Sequence, residues 1–103
     1  MLDMCLIKLL CQKGSVYWTR HVFRKMNTRG IKAADIVLAL ESGEIIEQYV
    51  DENTYPACLI LSFLPNGEPV HLACSLRYDT LNLVTVYHPN TEKWLSDYKT
   101  RRI

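Results

Sequence analysis

The hydrophobic pattern changes period at Gly43, and that change constrains the fold more than any other feature of the chain. Before it, apolar residues recur at helical spacing; after it, short apolar runs alternate with turn-forming clusters. The spacing predicts helices over Leu2 to Gln12, stopped near Gly14, and from a Thr19 cap to Gly30. A third runs from Ala33 to Ser42, stopped by Gly43, with Lys32 a poor N-cap. Val22, Phe23 and Met26 form the inward stripe of the second helix, and Ala33, Ile36, Val37 and Leu40 that of the third. Strands are expected over Glu44 to Val50, Cys58 to Leu64, Pro69 to Leu76 and Leu81 to Tyr87. Asn66-Gly67 between two apolar runs is the clearest hairpin signal, and Arg77-Tyr78-Asp79-Thr80 makes a second turn. Thr91 to Ser96 is expected to form a helical turn. Helices followed by strands with tight turns mean an α+β fold, its N-terminal helices packed on one face of a small antiparallel sheet.

A chain of 103 residues is one ordinary domain, residues 1–103. Cys5, Cys11, Cys58 and Cys74 form no C-x-x-C pair and no zinc spacing, so free thiols are expected, with Cys58 and Cys74 buried in strands. The apolar N-terminus is interrupted by Asp3 and Lys8 and falls short of the about 20 residues that a membrane span needs. It reads as a short packed helix, apolar on nearly every side and so buried. A cytoplasmic protein without membrane association is expected. The net charge of +1 conceals a segregation: six bases and no acid from Lys13 to Lys32, then six acids and no base from Asp35 to Tyr55. Either the basic stretch attracts phosphates, or the two stretches lie side by side and neutralise each other.

Alternation in the third expected strand puts Val70, Leu72 and Cys74 on the core face and His71, Ala73 and Ser75 on the other, looking away from the helices. Pairing Leu64 with Pro69 would set Ser62 across from His71. The last strand is ambiguous. With Val84 and Val86 inward, Leu83, Thr85 and Tyr87 join His71; a one-residue change in the turn reverses this and brings His88 there. The first register is favoured because it packs β-branched valines inward and assembles His71, Thr85 and Tyr87. On the second helix His21 and Arg24, three apart, are neighbours on the polar side. Taken singly, each of these is an ordinary surface residue; together, an imidazole near arginines suits acid–base chemistry at neutral pH. There is no Gly-rich phosphate loop, nucleophile elbow or H-E-x-x-H, and the acids form no metal-site arrangement. No cofactor and no metal is expected.

Thr19-Arg20-His21-Val22-Phe23-Arg24-Lys25-Met26, then Arg29-Gly30-Ile31 and Asp35-Ile36, resemble the prokaryotic "domain of unknown function 4258" family. So do Gly43 to Glu47, Pro69-Val70-His71-Leu72, Thr85-Val86-Tyr87-His88-Pro89 and Trp94 through Arg102, and the similarity runs from Trp18 to Arg102. A serine-like cap is common in that family where Lys32 stands here. The family in turn resembles RelE-like ribonuclease toxins, whose fold group includes barnase and colicin nucleases and cleaves RNA without metal. The resemblance implies a toxin-like ribonuclease neutralised by a small antitoxin protein, with His21, Arg24, His71, Tyr87, Lys99 and Arg101 at matched positions.

The expected function is therefore a metal-independent endoribonuclease. His71, the preferred histidine, would move the proton; Arg24 and Arg101 would hold the phosphate, with Lys99 among the substrate-binding cations; and Tyr87 would donate a hydrogen bond or stack on a base. His21 and Arg24 reach His71 only if the second helix lies at a sheet edge. Rival expectations are a non-catalytic protein-interaction module on the same scaffold and simple nucleic-acid binding through the basic helix.

Overall fold

The computed structural model describes residues 2–103. In chain order it contains α1 (Met4–Gln12), β1 (Val16–Trp18), α2 (Arg20–Arg29), α3 (Ala33–Ser42), β2 (Glu44–Tyr49), β3 (Ala57–Phe63), β4 (Pro69–Arg77) and β5 (Thr80–Tyr87). The α+β class holds. The strand order is β1-β5-β4-β3-β2, and every pairing is antiparallel except β1 with β5. The sheet is thus mixed. Three residues are too few for a periodic signal, and β1 pairs Val16 with Leu81, a partner that only the folded chain supplies.

Local chemistry sets the helix ends. Asp3 caps α1, its carboxylate accepting the Leu6 N–H at 2.8 Å, and Leu2 precedes the helix as a buried residue. Only Ile7 and Leu10 of α1 are fully buried, and Leu9 is 47% exposed, so the helix buries one side rather than all of them. Thr19 caps α2 by accepting the Val22 N–H, and Gly30 ends it in the left-handed region at φ +67°. Val22 and Met26 are inward as expected. Phe23 is not: it is half exposed and stacks on Trp18 at 6.2 Å between ring centroids. In α3 the buried set is Ile36, Ala39 and Leu40, with Ala33 exposed and Val37 half-buried. The stripe is turned toward Ala39 by packing on α1 and β3.

Gly43 follows α3 at φ −84°, which any residue adopts. Its requirement is space. A Cβ there would lie 2.5 Å from the Ile60 Cγ2 and 2.9 Å from the Leu61 carbonyl oxygen. Gly43→Ala is expected to cost about 1–3 kcal/mol in chemical denaturation, the overpacking range; an unchanged midpoint would show that the α3–β2 junction yields.

In the hairpin, Phe63 pairs with Pro69, one residue from the expected register. Leu61 therefore faces His71, and Ser62 turns to the helix side, where its hydroxyl lies 3.4 Å from that of Ser42. In β5 a bulge falls at Val84, because Ala73 pairs with Thr85 but Cys74 with Leu83. Val86, Leu83 and Leu81 point into the core, Val84 is 42% exposed, and Thr85 and Tyr87 join the His71 face. Each expected register is correct on one side of that bulge.

Beyond β5 the chain turns at 91–93 and doubles back on itself, bridging Trp94 to Arg101. The expected helical turn is a single one: the Asn90 carbonyl accepts the Lys93 and Trp94 N–H groups at 3.0 and 2.9 Å, and the chain leaves it at Trp94. This C-terminal hairpin lies over the sheet face opposite the core. His71 is 0% exposed, and Leu59 and Leu61 on the same face are also buried. Among the described residues no helix is long and apolar enough to cross a membrane.

Candidate active site

His71 was expected to stand open to solvent on the far face, and it does not. Its Nε2 lies 2.7 Å from the Tyr98 carbonyl and its Nδ1 3.2 Å from the Tyr87 hydroxyl. A carbonyl only accepts, so Nε2 carries the hydrogen, and Nδ1 of the neutral ring accepts from Tyr87. Tyr98 aims that carbonyl from a left-handed backbone at φ +60°. The rings of Tyr87 and Trp94 meet the imidazole edge-on at centroid distances of 5.2 and 4.5 Å. Burial holds the His71 pKa below its ordinary value, against the opposing pull of the Tyr98 carbonyl and Glu47. This histidine is satisfied and sealed, and it ties the C-terminal hairpin to the sheet.

The tail cations are engaged as well. Arg101 donates from Nε and Nη2 to the Glu47 carboxylate at 2.7 and 2.9 Å, while its guanidinium lies over Trp94 at 4.6 Å. Glu47 also accepts from the Tyr49 hydroxyl, and the Arg101 hydrogen bonds hold its carboxyl below the usual range. Lys99 pairs with Glu44 at 3.0 Å. The acidic stretch is thus neutralised in part by the tail and not by the basic stretch. Among the described residues Arg20, Arg24, Lys25 and Arg29 of α2 form no ion pair.

The second histidine differs in every respect. β1 ends opposite Leu83, and the next residue, Thr19, donates its N–H to the Leu83 carbonyl and its hydroxyl to that of Val84. The chain therefore enters α2 at the β5 edge that β1 has vacated. Val22 and Met26 reach into the core from there, and His21 reaches over the edge, its Nε2 3.0 Å from the Thr85 hydroxyl. His21 is exposed. Thr85 and Tyr87 are same-face neighbours on β5, roughly 7 Å apart by strand geometry. Arg24 stands three residues on from His21, also exposed.

Of the six site residues expected, the structure gathers His71, Tyr87 and Arg101 into one cluster and sets His21 beside it through Thr85. Arg24 stays outside that cluster, exposed on α2 one turn from His21, and Lys99 lies against β2. Sequence reasoning missed Glu47, Trp94 and Tyr98 as cluster members; a tryptophan in a polar tail was the one signal that this tail packs down. A cavity of about 310 Å³ opens between β5 and the tail, lined by Tyr87, His88, Asn90, Lys93, Trp94 and Arg101. His88 donates from Nδ1 to the Pro69 carbonyl at 2.9 Å and faces Glu68 at 3.5 Å with Nε2.

All four cysteines are free. Burial pushes the Cys58 thiol up to about 11 and the Cys74 thiol well above its ordinary value; burial and Glu41 push Cys11 up to about 11. Thiolate chemistry is disfavoured at these three positions. Among the described residues no three or more histidine, cysteine, aspartate and glutamate side chains converge as a metal-binding set would.

A family model described as a domain of unknown function (DUF4258) matches residues 18–88, which takes in His21, Arg24, His71, Thr85 and Tyr87. No curated protein matches the chain, and no solved structure does.

Proposed function

The chain belongs to the DUF4258 family, whose description assigns no activity, and we propose that it is a metal-independent endoribonuclease whose working imidazole is His21 rather than His71. The observation that carries this is the position of His21: solvent-open, braced by Thr85, and on the same sheet face as Tyr87. In the proposed step His21 takes the proton of a ribose 2′-hydroxyl. The 2′-oxygen attacks the adjacent phosphorus, and the 5′-oxygen leaves with a proton from water. The products are a 2′,3′-cyclic phosphate and a free 5′-hydroxyl. Arg24, one turn along the helix and without an acid partner, offsets the charge that gathers on the phosphoryl oxygens. Tyr87 borders the site with its ring, and His71 positions it by accepting its hydroxyl. The resemblance to RelE- and barnase-like toxins supports the same reading and adds a small antitoxin as the natural partner. The test is direct. Purified protein incubated with single-stranded RNA in excess chelator should yield cyclic-phosphate ends; intact RNA overturns the proposal.

A second reading, a non-catalytic interaction module, is favoured by Leu9 of α1 and Leu38 of α3, which stand 47% and 57% exposed. It requires uncut RNA and unimpaired growth on expression.

A further inference from the structure

At the end of the second face away from the C-terminal hairpin, the sheet carries tyrosines that the fold does not need. Asn82 and Thr80 of β5, Arg77 of β4 and Tyr17 of β1 share the face of Thr85, as the pairs Tyr17↔Asn82, Ser75↔Asn82 and Arg77↔Thr80 require. With Tyr78 they line an open cavity of about 380 Å³. Tyr17 is 58% and Tyr78 80% exposed. Tyr78 also occupies the first position of the two-residue β4–β5 connection at φ +56°, where glycine is at ease and tyrosine is strained. A strained, solvent-facing ring contributes nothing to the core. Its neighbour Tyr55 meets it at a tilt of 60° with centroids 6.2 Å apart, and carries the Arg77 guanidinium at 5.1 Å from its own centroid.

We propose that this cavity is a nucleobase subsite for single-stranded RNA, with Tyr17 and Tyr78 as stacking surfaces and the Asn82 amide as the group that meets a base edge. The inference rests on the proposed cleavage and names where its substrate lies. Exposed aromatic rings beside a cation suit base stacking, which is tolerant of sequence. The subsite and the cleavage centre share a strand: Asn82 and Thr85 pair with Ser75 and Ala73, two residues apart on β4, so across the bulge they stand roughly 7 Å apart. That is a separation of one to two nucleotides.

The test uses a labelled 2′-O-methyl oligoribonucleotide, which lacks the attacking hydroxyl and so reports binding without cleavage. Tyr17→Ala and Tyr78→Gly should each weaken binding by about fivefold to a hundredfold, as loss of one stacked base does. Tyr78→Phe should bind like the parent. Tyr78→Gly should also melt several degrees higher, because it relieves the positive φ. A more stable protein that binds less well separates a ligand role from a structural one. Affinities within twofold of the parent in both alanine and glycine variants overturn the subsite, as does absence of binding by the parent. If the parent binds, the tyrosine variants lose binding and unmodified RNA stays intact, the subsite stands and cleavage falls. If RNA is cut and neither variant raises KM, cleavage stands and the subsite falls.

Discussion

His21→Ala is expected to lower RNA cleavage by about 10²–10⁴-fold, the range for a positioned general base, with almost no change in thermal stability. The two halves of that outcome have separate causes. The imidazole is exposed and makes one hydrogen bond, to Thr85, so its loss opens no cavity and orphans no buried group. In the proposed mechanism its loss also removes the acceptor for the 2′-hydroxyl proton on the open part of the second face. Kinetics on a defined oligoribonucleotide in chelator, paired with a melting curve, reads both. Parent-like cleavage by a folded His21→Ala protein would remove His21 from the mechanism.

His71→Ala should have the opposite profile: a loss of about 3–5 kcal/mol of stability, as for truncating a large buried ring. The cavity is compounded by two partners left unpaired, the Tyr98 carbonyl and the Tyr87 hydroxyl. Against a total of about 5–15 kcal/mol for a domain of this size, the variant is near unfolding. Growth arrest that vanishes in His71→Ala therefore reports folding and not chemistry. His71→Gln keeps polar atoms in the site, cannot titrate and is the informative variant. Its use follows from the sign of the His71 shift. Burial lowers the folded pKa below the ordinary 6.5, so below pH 6.5 the unfolded chain binds a proton that the folded chain refuses. Stability should be full above pH 6.5 and fall as the pH drops toward the folded value. The Arg101 hydrogen bonds lower the Glu47 pKa, and the Lys99 and Thr100 N–H groups lower that of Asp97. Those carboxylates begin to bind protons in the unfolded chain only near 4.5 and 3.8, so they act at lower pH. Denaturation midpoints from pH 7.5 to 3.5 should show the upper step in the parent and lose it in His71→Gln. A parent curve flat from 7 to 5 would contradict the sealed neutral imidazole.

Where an element is set by its own residues, it was legible. The Thr19 cap, the Gly30 stop and the Asn66-Gly67 turn each act over a few positions, and all appear in the structure. The core set Val70, Leu72 and Cys74 follows from strand parity alone, and all three are buried. What failed did so for reasons of longer range. Phe23 lies within a helical stripe yet stacks on Trp18, because α2 meets the sheet at an edge and presents only part of its apolar arc. Val84 is β-branched yet exposed, because a bulge lets Leu83 and Val86 both turn inward. Nothing local marks that extra residue.

The amino-acid order alone determined the three helices and four of the five strands, the hairpin and the parity that sets His71 opposite the core. Tertiary packing decided which histidine meets solvent. Parity can place an imidazole on the second face of a sheet, but whether that face is wet depends on a tail 27 residues further along. Here Tyr98 and Trp94 close over His71, while the edge position of α2 brings His21 to Thr85 across 64 residues of sequence. Pairings between strands, tail and helix at such separations come from burial summed over the whole chain, which no short window of sequence contains.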